Sequence, residues 1–174
     1  MVTILACAAV LAWTAAAADL PRKAPELTIP LNSGKKVQVN AAYAGKAVCV
    51  AFILTTCSHC QNTTGILSRA QTEFGARGFQ AIEASIEETG QALVPGFIQR
   101  FNPPFPVGFV PYATAQEYMQ HSPMLIMHMP GLVFIDRQGR IVAVYEGDAP
   151  FMNEDVQEKN IRGLIEKLVG AGRK

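Results

Sequence analysis

The sequence predicts a single α/β domain built on a mixed β-sheet. Two apolar runs of strand length occupy residues 47–54 and 79–86, and a segment with helical spacing follows each of them. Residues 132–145 have the pattern of a β-hairpin, and an amphipathic helix over residues 153–169 closes the chain. Strands that alternate with helices, and then end in a hairpin and a helix, favour a sheet with both parallel and antiparallel neighbours. The 174 residues are enough for one such domain with its own core.

Local signals place the remaining elements along the chain. Apolar and polar residues alternate over residues 27–29 and 37–39, and Asn32-Ser33-Gly34-Lys35 supplies a turn between them, which predicts an N-terminal β-hairpin. Residues 19–30 contain three prolines and are expected to form an extended lead-in. The other predicted elements are a helix over residues 61–76, a helix over residues 88–101 with Pro95 near its start, a short strand near residues 107–110 and a short helix over residues 113–120.

The composition excludes some classes of partner. The formal net charge is +1, and the charged residues are dispersed without a long basic run, so we expect no nucleic-acid partner. Hydrophobic residues make up 49% of the chain, which supplies a packed core and argues against a disordered protein.

Residues 1–18 differ from the rest of the chain. They are apolar and uncharged, and they end in Ala16-Ala17-Ala18, a small-residue pattern typical of signal-peptide cleavage. We therefore predict a signal peptide over residues 1–18 and one domain over residues 19–174, exported to the bacterial periplasm, with a possible membrane tether through this leader. The positively charged start of an ordinary leader is missing, and a buried N-terminal helix is the alternative.

The sequence Cys57-Ser58-His59-Cys60 is the main functional candidate. It follows a buried strand and precedes a helix, and a Cys-x-x-Cys in that context indicates a redox pair rather than half of a zinc site. The free N–H groups at a helix N-terminus favour a thiolate, so Cys57 is the candidate attacking thiol. Cys60, one turn further, is the candidate resolving thiol. Between them, a partly protonated His59 would stabilise the Cys57 thiolate further, and this chemistry needs no cofactor.

Beyond this motif, several segments carry a family resemblance that runs from about residue 24 to residue 169. The chain resembles the thioredoxin-like superfamily, and within it the exported thiol-disulfide oxidoreductases of the TlpA and ResA type. The matching segments are Ala24-Pro25-Glu26-Leu27, Gly34-Lys35-Lys36-Val37, Gly45-Lys46, Met129-Pro130-Gly131 and the run from Phe134 to Arg140.

The resemblance implies a thioredoxin-like fold, in which helices flank a central mixed β-sheet and an N-terminal β-hairpin precedes it. It also implies that Pro130 is cis and faces the cysteines, and that Met129, Pro130 and Thr56 contact the substrate. The implied partners are protein thiols or disulfides and an upstream redox protein, with the direction open and a slight lean to reductase.

The chain departs from the family pattern around the motif. Ser58 and His59 stand where the family usually has a proline, and the usual tryptophan before the first cysteine is absent. No acidic residue lies between Lys46 and Glu73. A buried carboxylate on the strand that enters the motif, the proton acceptor of thioredoxin itself, is therefore not expected.

Residues 121–130 leave a second function open. Their methionines and histidines are ligand types that suit Cu(I), and the chain is also similar to Sco-type copper chaperones, which implies a Cu(I) site at Cys57, Cys60 and His128. The Sco spacing is one residue longer than Cys-x-x-Cys. The simpler interpretation places Met124 and Met127 in the core, with Met129 and His128 beside the substrate groove. A binding module with vestigial cysteines is a third possibility.

Overall fold

The computed structural model describes residues 19–170. The described chain folds into strands and helices close to the predicted ones. The strands are β1 (Arg22–Lys23), β2 (Thr28–Pro30), β3 (Lys36–Gln38), β4 (Ala47–Ile53), β5 (Phe79–Ser85), β6 (Val107–Phe109), β7 (Gly131–Ile135) and β8 (Arg140–Tyr145). The helices are α1 (Val39–Ala42), α2 (Ser58–Phe74), α3 (Gly90–Phe101), α4 (Tyr112–Met119) and α5 (Gln157–Gly170), with short 3₁₀ turns at Gly75–Arg77 and Pro150–Met152.

Six of these strands form one mixed sheet in the order β1-β8-β7-β4-β5-β6. Strand β4 is central, parallel to β5 and antiparallel to β7, and β7 pairs in turn with β8 as the predicted hairpin. Strands β2 and β3 form the separate N-terminal hairpin. The predicted α/β class, mixed sheet and hairpin are confirmed.

The sheet separates two hydrophobic clusters. All seven residues of β4 are buried, and its side chains alternate between the two faces. On one face Cys49, Ala51 and Ile53 pack in a cluster with α2, α3 and α5. On the other face Val48, Val50 and Phe52 pack with residues of the N-terminal hairpin and α4. A strand buried on both faces has no polar alternation, which explains why the β4 sequence is continuously apolar.

The strand register brings four loops to one end of the sheet. Ile53 at the end of β4 pairs with Ser85 at the end of β5. Phe52 pairs with Gly131 at the start of β7, and Leu132 pairs with Tyr145 at the end of β8. The segments that contain the Cys-x-x-Cys motif and Met129-Pro130 therefore lie at the same end, which we call the motif edge.

One local prediction needs correction. Pro95 lies in the interior of α3 instead of near its start. Proline cannot donate to the carbonyl group four residues before it, and the side-chain amide of Asn32 donates to this freed Gln91 oxygen at 2.8 Å. The predicted extended lead-in is confirmed, and it includes a short strand in which Arg22 and Lys23 pair with Ile141 and Arg140 of β8.

The predicted signal peptide, residues 1–18, lies outside the described residues. Within residues 19–170, no helix combines the length and the apolar character needed to cross a membrane.

Candidate active site

The Cys-x-x-Cys motif begins helix α2. Cys57 is the N-cap residue in an extended conformation, and its Sγ accepts a hydrogen bond from the N–H of Cys60 at 3.3 Å. The two cysteines approach to 2.9 Å and are not joined in a disulfide. Cys57 is half-buried, whereas Cys60 is fully buried. The helix start thus presents one thiol at the surface and keeps the second beneath it.

A carboxylate from the neighbouring strand end anchors the segment before Cys57. The N–H and the hydroxyl of Thr55 donate to the two carboxylate oxygens of Glu87, each at 3.0 Å. The hydroxyl of Ser85 also donates to Glu87 at 2.8 Å, and the side chain of Gln61 donates to the Thr55 carbonyl at 2.9 Å. This network leaves Thr56 exposed at the turn. Its predicted contact with substrate stays a prediction.

A second carboxyl group, that of Glu83, lies beneath helix α2. Glu83 pairs with Ala51 of β4 and is fully buried on the side of the sheet that α2 covers. The Thr64 hydroxyl lies 3.2 Å from Glu83 Oε2 and 3.0 Å from the Cys60 carbonyl oxygen. The other oxygen, Oε1, has no hydrogen-bond partner among the described residues. The strand that enters the motif carries no acid, as expected, but the next strand supplies one.

Burial shifts the pKa values of the ionisable groups beneath the motif. Desolvation raises the pKa of Glu83 to about 8, and the hydrogen bond with Thr64 opposes that shift to a smaller extent. Burial raises the pKa of the Cys60 thiol well above its usual range, and the hydrogen bond with Cys57 and the charge of Glu83 add to that effect. The buried Cys49 thiol on β4 is shifted in the same direction, mainly by desolvation. Cys49 is therefore the small buried hydrophobic residue that its position in the strand predicts.

Met129 and Pro130 directly precede strand β7 at the motif edge, and the peptide bond between them is cis. Both Met129 and Cys57 pack against the cluster that contains α2. Gly147 lies directly behind the Met129–Pro130 peptide and donates its N–H to the His128 carbonyl at 2.8 Å. A Cβ atom at Gly147 would overlap the Met129 carbonyl group, so this close backbone approach requires glycine.

The remaining candidates occupy separate places. His59 lies in the first turn of α2, and its Nε2 is buried without a partner among residues 19–170. Met127 is buried, as predicted, but Met124 is 88% exposed, so its predicted core position is wrong.

His128 is largely exposed, with its Nε2 3.8 Å from Asp148 Oδ2. Within the described part of the chain, no three His, Cys, Asp or Glu side chains are arranged to hold a metal ion. The structure therefore does not gather Cys57, Cys60 and His128 into a copper site.

Sequence reasoning missed three carboxyl groups at this edge: Glu83, Glu87 and Glu146. A sequence signal exists for Glu83, since it is the one acidic residue of β5 and points to the same face of the strand as the core residues Phe79 and Ala81. Glu87 follows the end of a strand parallel to β4, and the ends of parallel strands meet at one edge of the sheet. Glu146 depends on a contact with His121, 25 residues away, and no local pattern indicates it.

A thioredoxin-like domain with a Cys-x-x-Cys pair at a helix N-terminus is the class of protein that this fold and site define. The Redoxin family model matches residues 21–162, and the chain belongs to that family. A comparison with curated proteins finds no match.

Solved structures share the fold. The chain is similar to a thiol:disulfide interchange protein of the thioredoxin family from Chlorobium tepidum, with 20% identity and a TM-score of 0.71 over 88% of this chain and 100% of that one. It is also similar to the thioredoxin domain of a Bacteroides vulgatus thiol-disulfide oxidoreductase, with 22% identity, a TM-score of 0.66 and coverage of 86% and 96%. A secreted Mycobacterium tuberculosis disulfide oxidoreductase gives 15% identity, a TM-score of 0.64 and coverage of 82% and 96%. These structures confirm the thioredoxin-like fold.

Proposed function

We propose that the protein is a thiol-disulfide oxidoreductase that exchanges disulfides with protein partners through Cys57 and Cys60. The observation that carries this proposal is the unequal placement of the two thiols on one helical turn. Cys57 Sγ caps α2 at the surface, where backbone N–H groups and the helix dipole favour a thiolate. Cys60 is buried within reach of it. Attack is therefore assigned to Cys57 and resolution to Cys60.

The exchange then runs in two balanced steps. The Cys57 thiolate attacks one sulfur of a partner disulfide, a Cys57–partner bond forms, and the second partner sulfur leaves as a thiolate that takes up a proton. Cys60 loses its proton and attacks Cys57 Sγ, which forms the Cys57–Cys60 disulfide and releases the first partner sulfur as a thiolate. Two electrons pass from this protein to the partner, and an upstream redox protein with a thiol pair restores them.

Glu83 is the proposed acceptor of the Cys60 proton. Its carboxyl group is buried below Cys60, carries an unpaired oxygen, and connects to the Cys60 backbone through Thr64. A pKa of about 8 lies near the operating pH of an exported protein, which suits a group that must both take and return a proton. The same carboxyl group returns the proton when the exchange runs in the opposite direction.

The polypeptide partner is expected to lie against Met129 and Pro130, with Thr56 on the other side of Cys57. Met129 and Cys57 pack against the same core cluster, which supports this placement. His59 in the first turn of α2 is the proposed tuning residue. Loss of the imidazole in His59→Ala is expected to slow the alkylation of Cys57 at neutral pH.

The resemblance to the TlpA and ResA type supports a slight lean to reductase. Export to the periplasm, with a possible membrane tether, rests on the signal-peptide pattern of residues 1–18. The similar M. tuberculosis protein is described as secreted. No cofactor takes part in the exchange.

The test combines insulin reduction with equilibration of Cys57–Cys60 against glutathione. Wild-type protein is expected to reduce insulin, Cys57→Ser to be inactive, and Cys60→Ser to accumulate the mixed disulfide with insulin. Cys49→Ser is the matched control, because it removes a buried thiol outside the motif. A potential near about −270 mV indicates a reductase and one near about −120 mV an oxidase. Reduction of insulin, or exchange with glutathione disulfide, that persists in Cys57→Ser would refute the proposal.

A further inference from the structure

The loop from His121 to Pro130 presents an apolar tip to solvent. The side chains of Met124, Leu125 and Ile126 are 88%, 65% and 80% exposed. No other large apolar residue among residues 19–170 is exposed to more than 41%. Three consecutive side chains of this kind are a candidate interaction surface.

A polar clamp holds the two ends of this tip. The His121 side chain is only 8% exposed, and its Nδ1 lies 2.6 Å from Glu146 Oε1. Its Nε2 lies 3.2 Å from the Leu125 carbonyl oxygen. The two ring nitrogens thus face two oxygen atoms, and the imidazole ties the end of β8 to the backbone of the tip. The second Glu146 oxygen accepts the N–H of His128 at 3.0 Å.

The clamp keeps an open depression between the tip and the end of strand β8. Its volume is about 690 Å³, and its lining includes the three tip residues, Tyr145 and Ala149. The lining contains the carboxyl groups of Glu146 and Asp148 and the imidazoles of His121 and His128, with no lysine or arginine. Such a surface accepts an apolar side chain and disfavours phosphate or an anionic lipid headgroup.

The depression lies at the motif edge, beside the segment that precedes β7. Its loop leads directly into Met129 and Pro130, and Tyr145 in the lining pairs with Leu132 near the start of β7. Cys57 does not line the depression, but Tyr145, Met129 and Cys57 pack against the same core cluster. A polypeptide that lies against Met129 on its way to Cys57 is therefore expected to pass beside this depression.

We infer that the tip of Met124, Leu125 and Ile126 is a docking element for a polypeptide partner, which inserts an apolar side chain from beside its disulfide into the depression. Glu146 and His121 act as positioning residues that hold the element in place. This inference rests on the proposed function, because it names the recognition surface of the same exchange site.

The experiment compares a polypeptide disulfide with a small one. Insulin and 5,5′-dithiobis(2-nitrobenzoate) are reduced by wild-type protein, by the double variant Leu125→Ser/Ile126→Ser, and by Tyr112→Ser, which removes an exposed ring elsewhere. For the double variant, the ratio of kcat/KM for insulin to that for the small disulfide is expected to fall about tenfold, or ~1.4 kcal/mol. The fall should lie in KM for insulin, and Tyr112→Ser should keep the wild-type ratio.

The clamp is tested by the same ratio. Glu146→Ala is expected to raise KM for insulin several-fold, and Glu146→Gln, which keeps one acceptor oxygen for His128, is expected to restore part of the loss. A purely structural role would lower kcat for both disulfides together. Circular dichroism confirms that each variant is folded at the assay temperature.

The outcomes separate the two proposals. If wild-type protein reduces neither disulfide, the proposed function fails and the docking element fails with it. If wild type reduces both and the double variant keeps the wild-type ratio, only the docking inference is overturned. If, in addition, the double variant loses binding to phosphatidylcholine vesicles, the tip is assigned to a lipid surface. If instead the double variant converts a dimer to a monomer, the tip is assigned to contact with a second copy of this chain.

Discussion

The two loops that meet at the motif edge are supported in opposite ways. The segment around Cys57 is anchored from below, by the carboxyl groups of Glu83 on β5 and of Glu87 just after β5. The loop from His121 to Pro130 is anchored from the side, by Glu146 at the end of β8, and keeps its apolar residues in solvent. A thiol pair needs fixed geometry and a dry surrounding, whereas a recognition loop needs exposed contact area. The same sheet end supplies both because each loop has its own carboxylate.

The buried carboxyl group of Glu83 is expected to give the largest effect. Its pKa is raised from 4.5 to about 8 in the folded protein, so the native state binds a proton that the unfolded chain has already released in that range. The contribution is favourable below about pH 4.5 and is lost as the pH rises to about 8. Over this pH range, urea unfolding should show the free energy of unfolding of Glu83→Gln rising relative to that of wild type by on the order of 5 kcal/mol. Glu88→Gln, at an exposed position, is the control, and parallel pH profiles for Glu83→Gln and wild type would contradict the burial argument.

Loss of the Glu87 anchor is expected to be the next largest effect. Glu87→Ala removes the acceptor of the Thr55 N–H, the Thr55 hydroxyl and the Ser85 hydroxyl. Hydrogen bonds to a charged group contribute about 1.5–3 kcal/mol, so we expect a loss of about 2–3 kcal/mol of unfolding free energy. Hydrogen exchange at the Thr55 amide should accelerate while the 121–130 loop keeps its wild-type rate. Equal acceleration in both loops would show that the two supports are not independent.

Gly147→Ala breaks the support of the other loop. The added Cβ would overlap the Met129 carbonyl group, so the backbone must shift at a cost of about 1–3 kcal/mol. Gly163→Ala is the matched control, because a Cβ there meets nothing and alanine is the better helix former by about 1 kcal/mol. Thermal unfolding should place the two variants on opposite sides of wild type. A Gly147→Ala protein as stable as wild type would show that the close approach of the two backbones does not require glycine.

The smallest effect is expected at His128. Its ion pair with Asp148 spans 3.8 Å between two exposed side chains, and exposed pairs contribute ~0–1 kcal/mol. His128→Gln should change the free energy of unfolding by less than about 0.5 kcal/mol, measured by urea titration at neutral pH. A larger loss would show that the side chain of His128, beyond its backbone N–H, belongs to the clamp.

The difference between the loops also marks what the sequence could predict. The order from β4 through Cys57 to α2 follows from a continuous apolar run and helical spacing, which are local patterns. The hairpin of β7 and β8 was equally predictable, since alternation and a turn suffice. The role of Glu83 requires the register that pairs it with Ala51, which no single segment contains.

Non-local contacts account for the errors. Met124 and Met127 look alike in the sequence, but only Met127 packs in the core, because the clamp of His121 and Glu146 decides which part of the loop turns outward. Strand β1 has two residues and forms because it pairs with β8. Its own sequence therefore indicates only an extended segment between prolines and does not mark a strand. Pro95 is tolerated inside α3 because Asn32 satisfies the freed carbonyl group.

The graded burial of the described cysteines has a practical consequence for measuring the protein inside cells. Cys57 is partly accessible, whereas Cys60 and Cys49 are fully buried and their pKa values are raised by burial. A brief pulse of iodoacetamide on native protein should therefore label the peptide that carries Cys57 well before the other two sites. In the oxidised form Cys57 is blocked by its own disulfide. The labelled fraction of that one peptide, read by mass spectrometry, would report the steady-state proportion of molecules that hold electrons ready for a partner.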